Sequence, residues 1–301
     1  VDVREVDLFV HRALFELECY RRTGAAFQSF FERIMEYGEP GFVTVKPWGA
    51  EGDRKCDGLL PDSGTLFQVY APEEIKIRPT RAKMEADCAG ALAAWEQMRR
   101  WIFVWSALPA GLPPDLAACL LELADRHPGV EIADWNRERL WRVVQDQLDE
   151  VQRASLLGPP PRADSAAHVT AVEIQTVLNF LGSGPVGPDP QDSFEITDLR
   201  PKLEKNRLSA QIETIAGRAI PIAREVERYL ARSYDPDFMA KVGSRLIGRY
   251  EELVAEGVSG DPAFIDLIEF AMQGRGRGGR YFWGAAGIVT YYFEICDIFE
   301  R

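Results

Sequence analysis

A short acidic span carries side chains whose types and spacing suit metal-assisted phosphodiester chemistry. Asp53 and Asp57 stand in GDRKCDG, and Gln68 follows Asp57 by eleven positions in the run TLFQVY. Between Asp57 and Gln68 lies PDSG, a turn signal. The two flanking runs therefore predict a hairpin that sets the two positions side by side on one face. Carboxylates and an amide oxygen are hard ligands of the kind Mg2+ (or Mn2+) takes, with water in the remaining positions. A metal held this way polarises a phosphodiester and generates hydroxide from its bound water. Glu32, in the helical run FFERI, is the acid best placed on the preceding helix to complete the shell. The same residues have a plainer interpretation. Asp beside Gly is ordinary turn chemistry, and a buried Gln often only satisfies backbone groups. Spacing alone leaves both open.

The elements that must position these groups are legible from periodicity. Leu8, Phe9, Leu14, Phe15 and Leu17 predict a helix, and Phe27, Phe30, Phe31 and Ile34 a second one after a break at Thr23-Gly24. FVTVKPW, CDGLL and TLFQVY read as strands, the last stopped by Pro72. A helix follows to about Met98, with Pro79 early in it. WIFVWSA has the length and composition of a buried strand. GLPPDLAACLLELADRHPG is a helix with Pro near its start and Pro-Gly after its end. VEIADW is a further strand, and a helix capped by Asn136 follows it. A helix between two buried strands implies parallel βαβ units on one side of a mixed sheet.

Beyond LLGPPPRADSAAH, a stretch of linker composition, nearly everything reads as helix, with breaks expected near Asn206 and Pro221. GSGPVGPDPQDS is a loop. Asp235 is the expected cap of one late helix, with Pro236 at its first position, and an Asp-Pro start recurs at Asp261. The expected fold class is thus an α/β N-terminal domain, a mixed sheet flanked by helices, joined to an all-α helical bundle. The domains are 1–153 and 169–301, with a linker over 154–168.

Composition narrows the function classes. The 301 residues are 46% hydrophobic and carry a net charge of -12, which argues against a whole-surface polyanion binder and leaves room for a local basic groove. No run approaches the roughly 20 apolar residues of a membrane span, and the N-terminus lacks the basic region of a secretory signal. Five scattered cysteines form no CxxC pair, as expected of reduced, mostly buried thiols in a cytoplasm.

The order helix, strand, GDRKCDG, hairpin, FQVY, helix, strand resembles the PD-(D/E)xK restriction-endonuclease fold in its Mrr-like branch. That branch carries GD-x-G-x-DG and then Q-x-K on the next strand. The resemblance implies a Mg2+-dependent nuclease acting on DNA. It places Asp57 at the metal-binding aspartate, Gln68 at the second site position, Glu32 at the acid of the first helix and Asp53 at the first aspartate. The chain departs from the pattern at Tyr70, which stands where the lysine is expected. That lysine supports the attacking water and the charge developing on phosphate, and a phenol supplies no positive charge. Lys76 or Lys83, on the following helix, would have to replace it. Otherwise the domain binds without cutting, as a nucleic-acid sensor or a protein adaptor. The segments KPWGAEGDRKCDG, FQVYAPEE, GLPPDL and YYFEICDIFE, with the helical tail, also resemble effector proteins of bacterial ABC-three-component conflict systems. There the C-terminal helical domain couples the effector to partner proteins, one an ABC ATPase.

Lys76, Arg78, Arg81 and Lys83 cluster just after the candidate site and either line a groove for a phosphate backbone or form a solvated helix face. RGRGGR, from Arg275, lacks the GK[ST] of a P-loop. His11, His127 and His168 share no metal or triad spacing, and Ser106, Ser155 and Ser209 sit in no G-x-S-x-G elbow. Of the seven tryptophans, Trp101 and Trp105 are expected in the core, while Trp48, before the acidic loop, is the one kept as a stacking candidate. YYFEICDIF is either the last core helix or a partner contact.

Overall fold

The computed structural model describes residues 3–47, 54–105, 111–184, 199–235, 237–276, 279–295 and 298–299. Asp53, Trp48, Ser106, Pro236, Cys296 and residues 185–193 of the expected GSGPVGPDPQDS loop lie outside the described residues. The chain divides into two compact units, one of Glu18–Leu156 and one of Val1–Leu17 with Leu157–Arg301.

The first unit is built on a five-stranded mixed sheet in the order β1-β2-β3-β4-β5. Its strands are β1 (Val43–Thr44), β2 (Gly58–Leu60), β3 (Thr65–Tyr70), β4 (Arg100–Trp105) and β5 (Glu131–Trp135). β1, β2 and β3 pair antiparallel, and β3, β4 and β5 pair parallel. The expected FVTVKPW strand shrinks to two paired residues, because Pro47 lacks the N–H that a continuing ladder needs. The parallel crossovers run through α3 (Ile77–Ala94) and α4 (Pro114–Arg126), which pack on one another. The helices α2 (Gly24–Gly38) and α5 (Arg137–Asp146) also pack together. Thr23 is the N-cap position of α2, and Asn136 caps α5 by accepting from Arg139 N at 3.1 Å. The helix expected to run on past α5 breaks, and α6 (Glu150–Leu157) starts afresh with Gln152 N donating to Asp149 Oδ1.

Side-chain alternation assigns the two faces of this sheet. Leu66, Trp101, Phe103 and Trp105 share one buried cluster with Met84, Cys88 and Ala91 of α3 and Leu116 and Leu123 of α4. Phe67 points to the other face, where its ring meets Phe31 of α2 at 5.6 Å and Trp135 of β5 at 5.2 Å. β4 is therefore covered on both sides, which is why WIFVW reads as an unbroken apolar run. Each of its large buried side chains contributes on the order of 1.5–3 kcal/mol.

The second unit is helical. Its N-terminal part belongs to α1 (Val3–Arg21), whose residues through Leu17 group with this unit, so the first residues of the chain do not group with the sheet. Within it, the His11 ring nitrogen Nε2 meets Gly158 O at 3.0 Å. The remaining helices are α7 (Ala171–Gly182), α8 (Leu199–Lys205), α9 (Ala210–Leu230), α10 (Phe238–Ala255), α11 (Asp261–Met272) and α12 (Arg280–Ile295). The stretch expected as a linker over 154–168 is packed where it belongs to this unit. It holds a 3-10 turn (Ala163–His168), and Trp283 Nε1 donates to Arg162 O at 2.8 Å.

α12 is buried from Phe282 through Ile295, the pattern of a helix apolar all round at the centre of a bundle. YYFEI is thus core. Gly287 is what lets α9 approach, because a Cβ there would stand 2.4 Å from Ile222 Cγ2. That contact also explains why Pro221 does not break α9. A proline inside a helix costs about 3 kcal/mol, and the buried row Ala219, Ile222, Ala223 and Val226 offsets it. Asp235 sits one turn outside α10, with Oδ1 accepting from Asp237 N at 3.0 Å, and Asp237 takes the cap position. Among the described residues, no helix is long and apolar enough to cross a membrane.

Candidate functional site

Asp57 lies between β1 and β3 at the start of β2. Its main chain is held on both sides, with Asp57 N donating to Phe67 O at 2.8 Å and Val45 N donating to Asp57 O at 3.1 Å. The β2–β3 register pairs Gly58 with Phe67, so Asp57 stands opposite Gln68, as the hairpin spacing predicts. Gly58 follows because the Phe42 ring lies against it, and a Cβ there would meet Phe42 Cζ at 2.3 Å.

The two side chains meet. Gln68 Nε2 donates to Asp57 Oδ2 at 2.8 Å, and the same oxygen accepts from Val69 N at 2.7 Å. Both residues are only 5% exposed. The carboxylate fixes the sense of the amide, since a donor must face it. The other end of the amide, Oε1, is then buried with no hydrogen-bond partner among the described residues. An unmet buried acceptor costs roughly 1–3 kcal/mol, so a hard cation or a water at Gln68 Oε1 would recover that cost. The donor set, one carboxylate and one amide oxygen, suits a metal that keeps several waters.

Glu32 is placed differently. It is buried on α2, beside the Phe31 that packs on Phe67, and so on the face opposite Gln68. Lys46 Nζ grips both of its oxygens, at 2.6 and 2.7 Å, and Gln28 Nε2 donates at 3.1 Å. Among the described residues, no three His, Cys, Asp or Glu side chains group closely enough to hold a metal. The pair that forms is Asp57 with Gln68.

Tyr70 follows Gln68 by two residues and shares its face, with its ring 5.6 Å from that of Phe103. Where a lysine would follow the Q-x pattern, an ammonium does arrive, from α3. Lys83 Nζ lies 5.6 Å from the Tyr70 ring centroid. It is held by Asp87 Oδ2 at 2.5 Å. Lys76, at the N-cap position of α3, pairs instead with Glu74 at 3.1 Å and is largely exposed. Arg78 is exposed, and Arg81 donates to Glu122 Oε2 at 2.5 Å and faces Glu85 at 3.4 Å.

Two participants escape sequence reasoning. Asp87 is 1% exposed and collects a second cation, Lys55 Nζ, at 3.0 Å from Oδ1. The Lys83–Asp87 spacing of four on a helix was a readable signal. The approach of Lys55 from the acidic loop was not. Nor does the sequence announce that Lys46 covers Glu32. In comparisons with known proteins, no family model, curated protein or solved structure matched this chain.

Proposed function

We propose that the sheet unit is a metal-dependent nuclease that hydrolyses DNA phosphodiesters. The observation that carries this reading is the buried Gln68 Oε1, which has no hydrogen-bond partner among the described residues, beside the Asp57 carboxylate. Asp57 and Gln68 would hold Mg2+ or Mn2+, with Asp53 a further ligand as the resemblance implies. Bound there, the metal supplies Lewis acidity toward phosphate and acidifies its water. Lys83 takes the role of the lysine that Tyr70 displaces, setting a positive charge on the same sheet face as Gln68, where it offsets charge developing on phosphate. The order of helix, hairpin, helix and parallel strand around the pair supports the endonuclease-like resemblance. The second resemblance extends the reading to the whole chain: an effector in a prokaryotic conflict system, whose helical unit engages protein partners such as an ABC ATPase.

One observation favours a second reading, a catalytically degenerate domain that senses nucleic acid or serves as an adaptor. Asp57 Oδ2 already accepts two hydrogen bonds and extends the β2–β3 pairing by meeting Val69 N, a structural task that needs no metal. Cleavage of plasmid and single-stranded DNA in Mg2+ and in Mn2+, beside Asp57→Ala, tests the first reading. Cleavage that disappears in the variant supports it. Metal-independent cleavage would overturn the metal role, and no cleavage together with no metal binding favours the second.

A further inference from the structure

We propose that Arg245, held in a corner between the Phe180 and Phe270 rings, is the docking point for a carboxylate presented by an acidic segment of a protein partner. This inference rests on the reading that the helical unit engages protein partners for the kind of ligand only, and it needs nothing of the nuclease.

α7, α10 and α11 pack on one another, and each contributes one side chain to the corner. The Phe180 and Phe270 rings stand 6.1 Å apart and cross at 61°. The Arg245 guanidinium carbon lies 5.2 Å from the first centroid and 5.4 Å from the second. Two aromatic faces attract a cation and hold it in place. Gly184 makes the room, because a Cβ there would overlap Arg245 Nη1. All three side chains of the corner are half-buried.

A half-buried guanidinium ordinarily meets an acceptor. Among the described residues Arg245 meets none. No carboxylate pairs with it, and its Nε is buried without a hydrogen-bond partner. Acid is not scarce in this chain, which has 47 Asp and Glu against 35 Lys and Arg. The neighbouring cations of α10 are supplied. Lys241 holds Asp235 at 2.8 Å, and Arg249 holds Glu252 and Asp266, each at 2.9 Å. Nor does Arg245 cap the end of α7, because Ser183 meets the carbonyls there. Ser183 N donates to Asn179 O at 3.1 Å, and its Oγ donates to Phe180 O at 3.0 Å. The buried Nε closes one edge of the guanidinium and leaves Nη1 and Nη2 as the edge that receives a ligand. Their parallel N–H groups match the two oxygens of one carboxylate. The rings beside them suit an apolar side chain next to that acid, and binding energy at interfaces concentrates on arginine and aromatic residues. A nucleic-acid backbone fits less well. It is held by several cations in succession, and here the neighbouring cations already hold carboxylates.

The test is a selection of phage-displayed random peptides on the full chain, keeping those that bind the unaltered protein and not Arg245→Met. The selected peptides should carry Asp or Glu beside an aromatic or aliphatic residue. One of them, synthesised with a fluorescein label, is then titrated by anisotropy. Arg245→Met should weaken its binding about tenfold to a hundredfold, and so should replacing its acid by the matching amide. The two changes together should cost no more than either alone, the coupling expected of a direct pair. Gly184→Ala keeps the charge but crowds the guanidinium, and should also weaken binding. Lys241→Met should leave it unchanged. A thermal melt establishes that each variant is folded, and the change of the peptide's acid needs no altered protein. A selection that yields no Arg245-dependent peptide, selected peptides without an acid, or additive losses in the cycle would each overturn the proposal. A labelled single-stranded oligonucleotide bound through Arg245 in place of the peptides would also overturn it, and would assign the corner to phosphate. Acidic peptides that bind Arg245→Met equally well leave the partner reading standing and remove this docking point. Cleavage of DNA by the sheet unit should be indifferent to all of these outcomes.

Discussion

Replacing Gln68 with leucine separates a metal ligand from a structural amide. The substitution removes two opposed contributions of the same side chain. One is the donor bond from Nε2 to Asp57 Oδ2, at 2.8 Å, which as a bond to a charged group contributes roughly 1.5–3 kcal/mol. The other is the buried, unmet Oε1, which costs roughly 1–3 kcal/mol. Leucine is close in volume, and Asp57 keeps its bond from Val69 N. The two contributions nearly cancel, so without metal Gln68→Leu should change stability by no more than about 2 kcal/mol in either direction. With metal the two proteins diverge. A Mg2+ concentration about tenfold above Kd stabilises the unaltered protein by RT ln 11, about 1.4 kcal/mol. For a unit the size of Glu18–Leu156 that raises Tm by about 4 °C. Gln68→Leu should show no such rise. The assay is a thermal melt of each protein in EDTA and in Mg2+. A Mg2+-dependent rise that survives the substitution would refute the ligand role. A metal-free loss well above about 3 kcal/mol would make Gln68 a structural keystone instead.

Three further outcomes follow from the packing. Gly58→Ala drives a Cβ into the Phe42 ring and should cost about 1–3 kcal/mol by chemical denaturation, with the site weakened because Asp57 is the next residue. Burial pushes the Cys88 thiol up to about 11, above its ordinary 9.0, so the folded protein holds its proton where the unfolded chain has released it. That stability is complete below about pH 9 and is lost between about pH 9 and 11, by about 2–3 kcal/mol, in denaturant titrations at stepped pH; Cys88→Ala should flatten the decline. In the helical unit, Arg249 Nε and Nη2 clasp Asp266 at 2.9 and 3.1 Å, and this bond to a 1% exposed carboxylate raises the guanidinium pKa. Arg249→Met should cost about 3–5 kcal/mol in the melt of that unit.

The parts of the site that sequence discloses are those governed by local rules. Asp57 and Gln68 meet because a PDSG turn between two short strands fixes their register, and register follows from turn and alternation alone. The parallel crossovers are equally local, since a helix between two continuous apolar runs admits few other arrangements. Elements governed by tertiary contact were harder to see. Pro221 looks like a helix break until the packing of Ile222 on Gly287 is known. Glu32 has the right chemistry for a ligand, but helical phase puts it on the Phe31 side, where Lys46 takes it. Lys55 is plain in GDRKCDG as a basic residue. What makes it notable is a left-handed backbone and a buried aspartate thirty-two positions away, and no periodicity in the sequence encodes that meeting. The first helix illustrates the same limit. Its stripe is helical on any reading, yet nothing local says that Val1–Leu17 group with residues beyond Leu157.

The most direct test of the central claim is anomalous diffraction from crystals grown with Mn2+. An anomalous peak liganded by Gln68 Oε1 and by the Asp57 carboxylate is expected, lost in Asp57→Ala. Crystals of the unaltered protein in which Gln68 Oε1 is met by an ordered water and no peak lies beside Asp57 would contradict it, and would leave the pair as the end of a β-ladder.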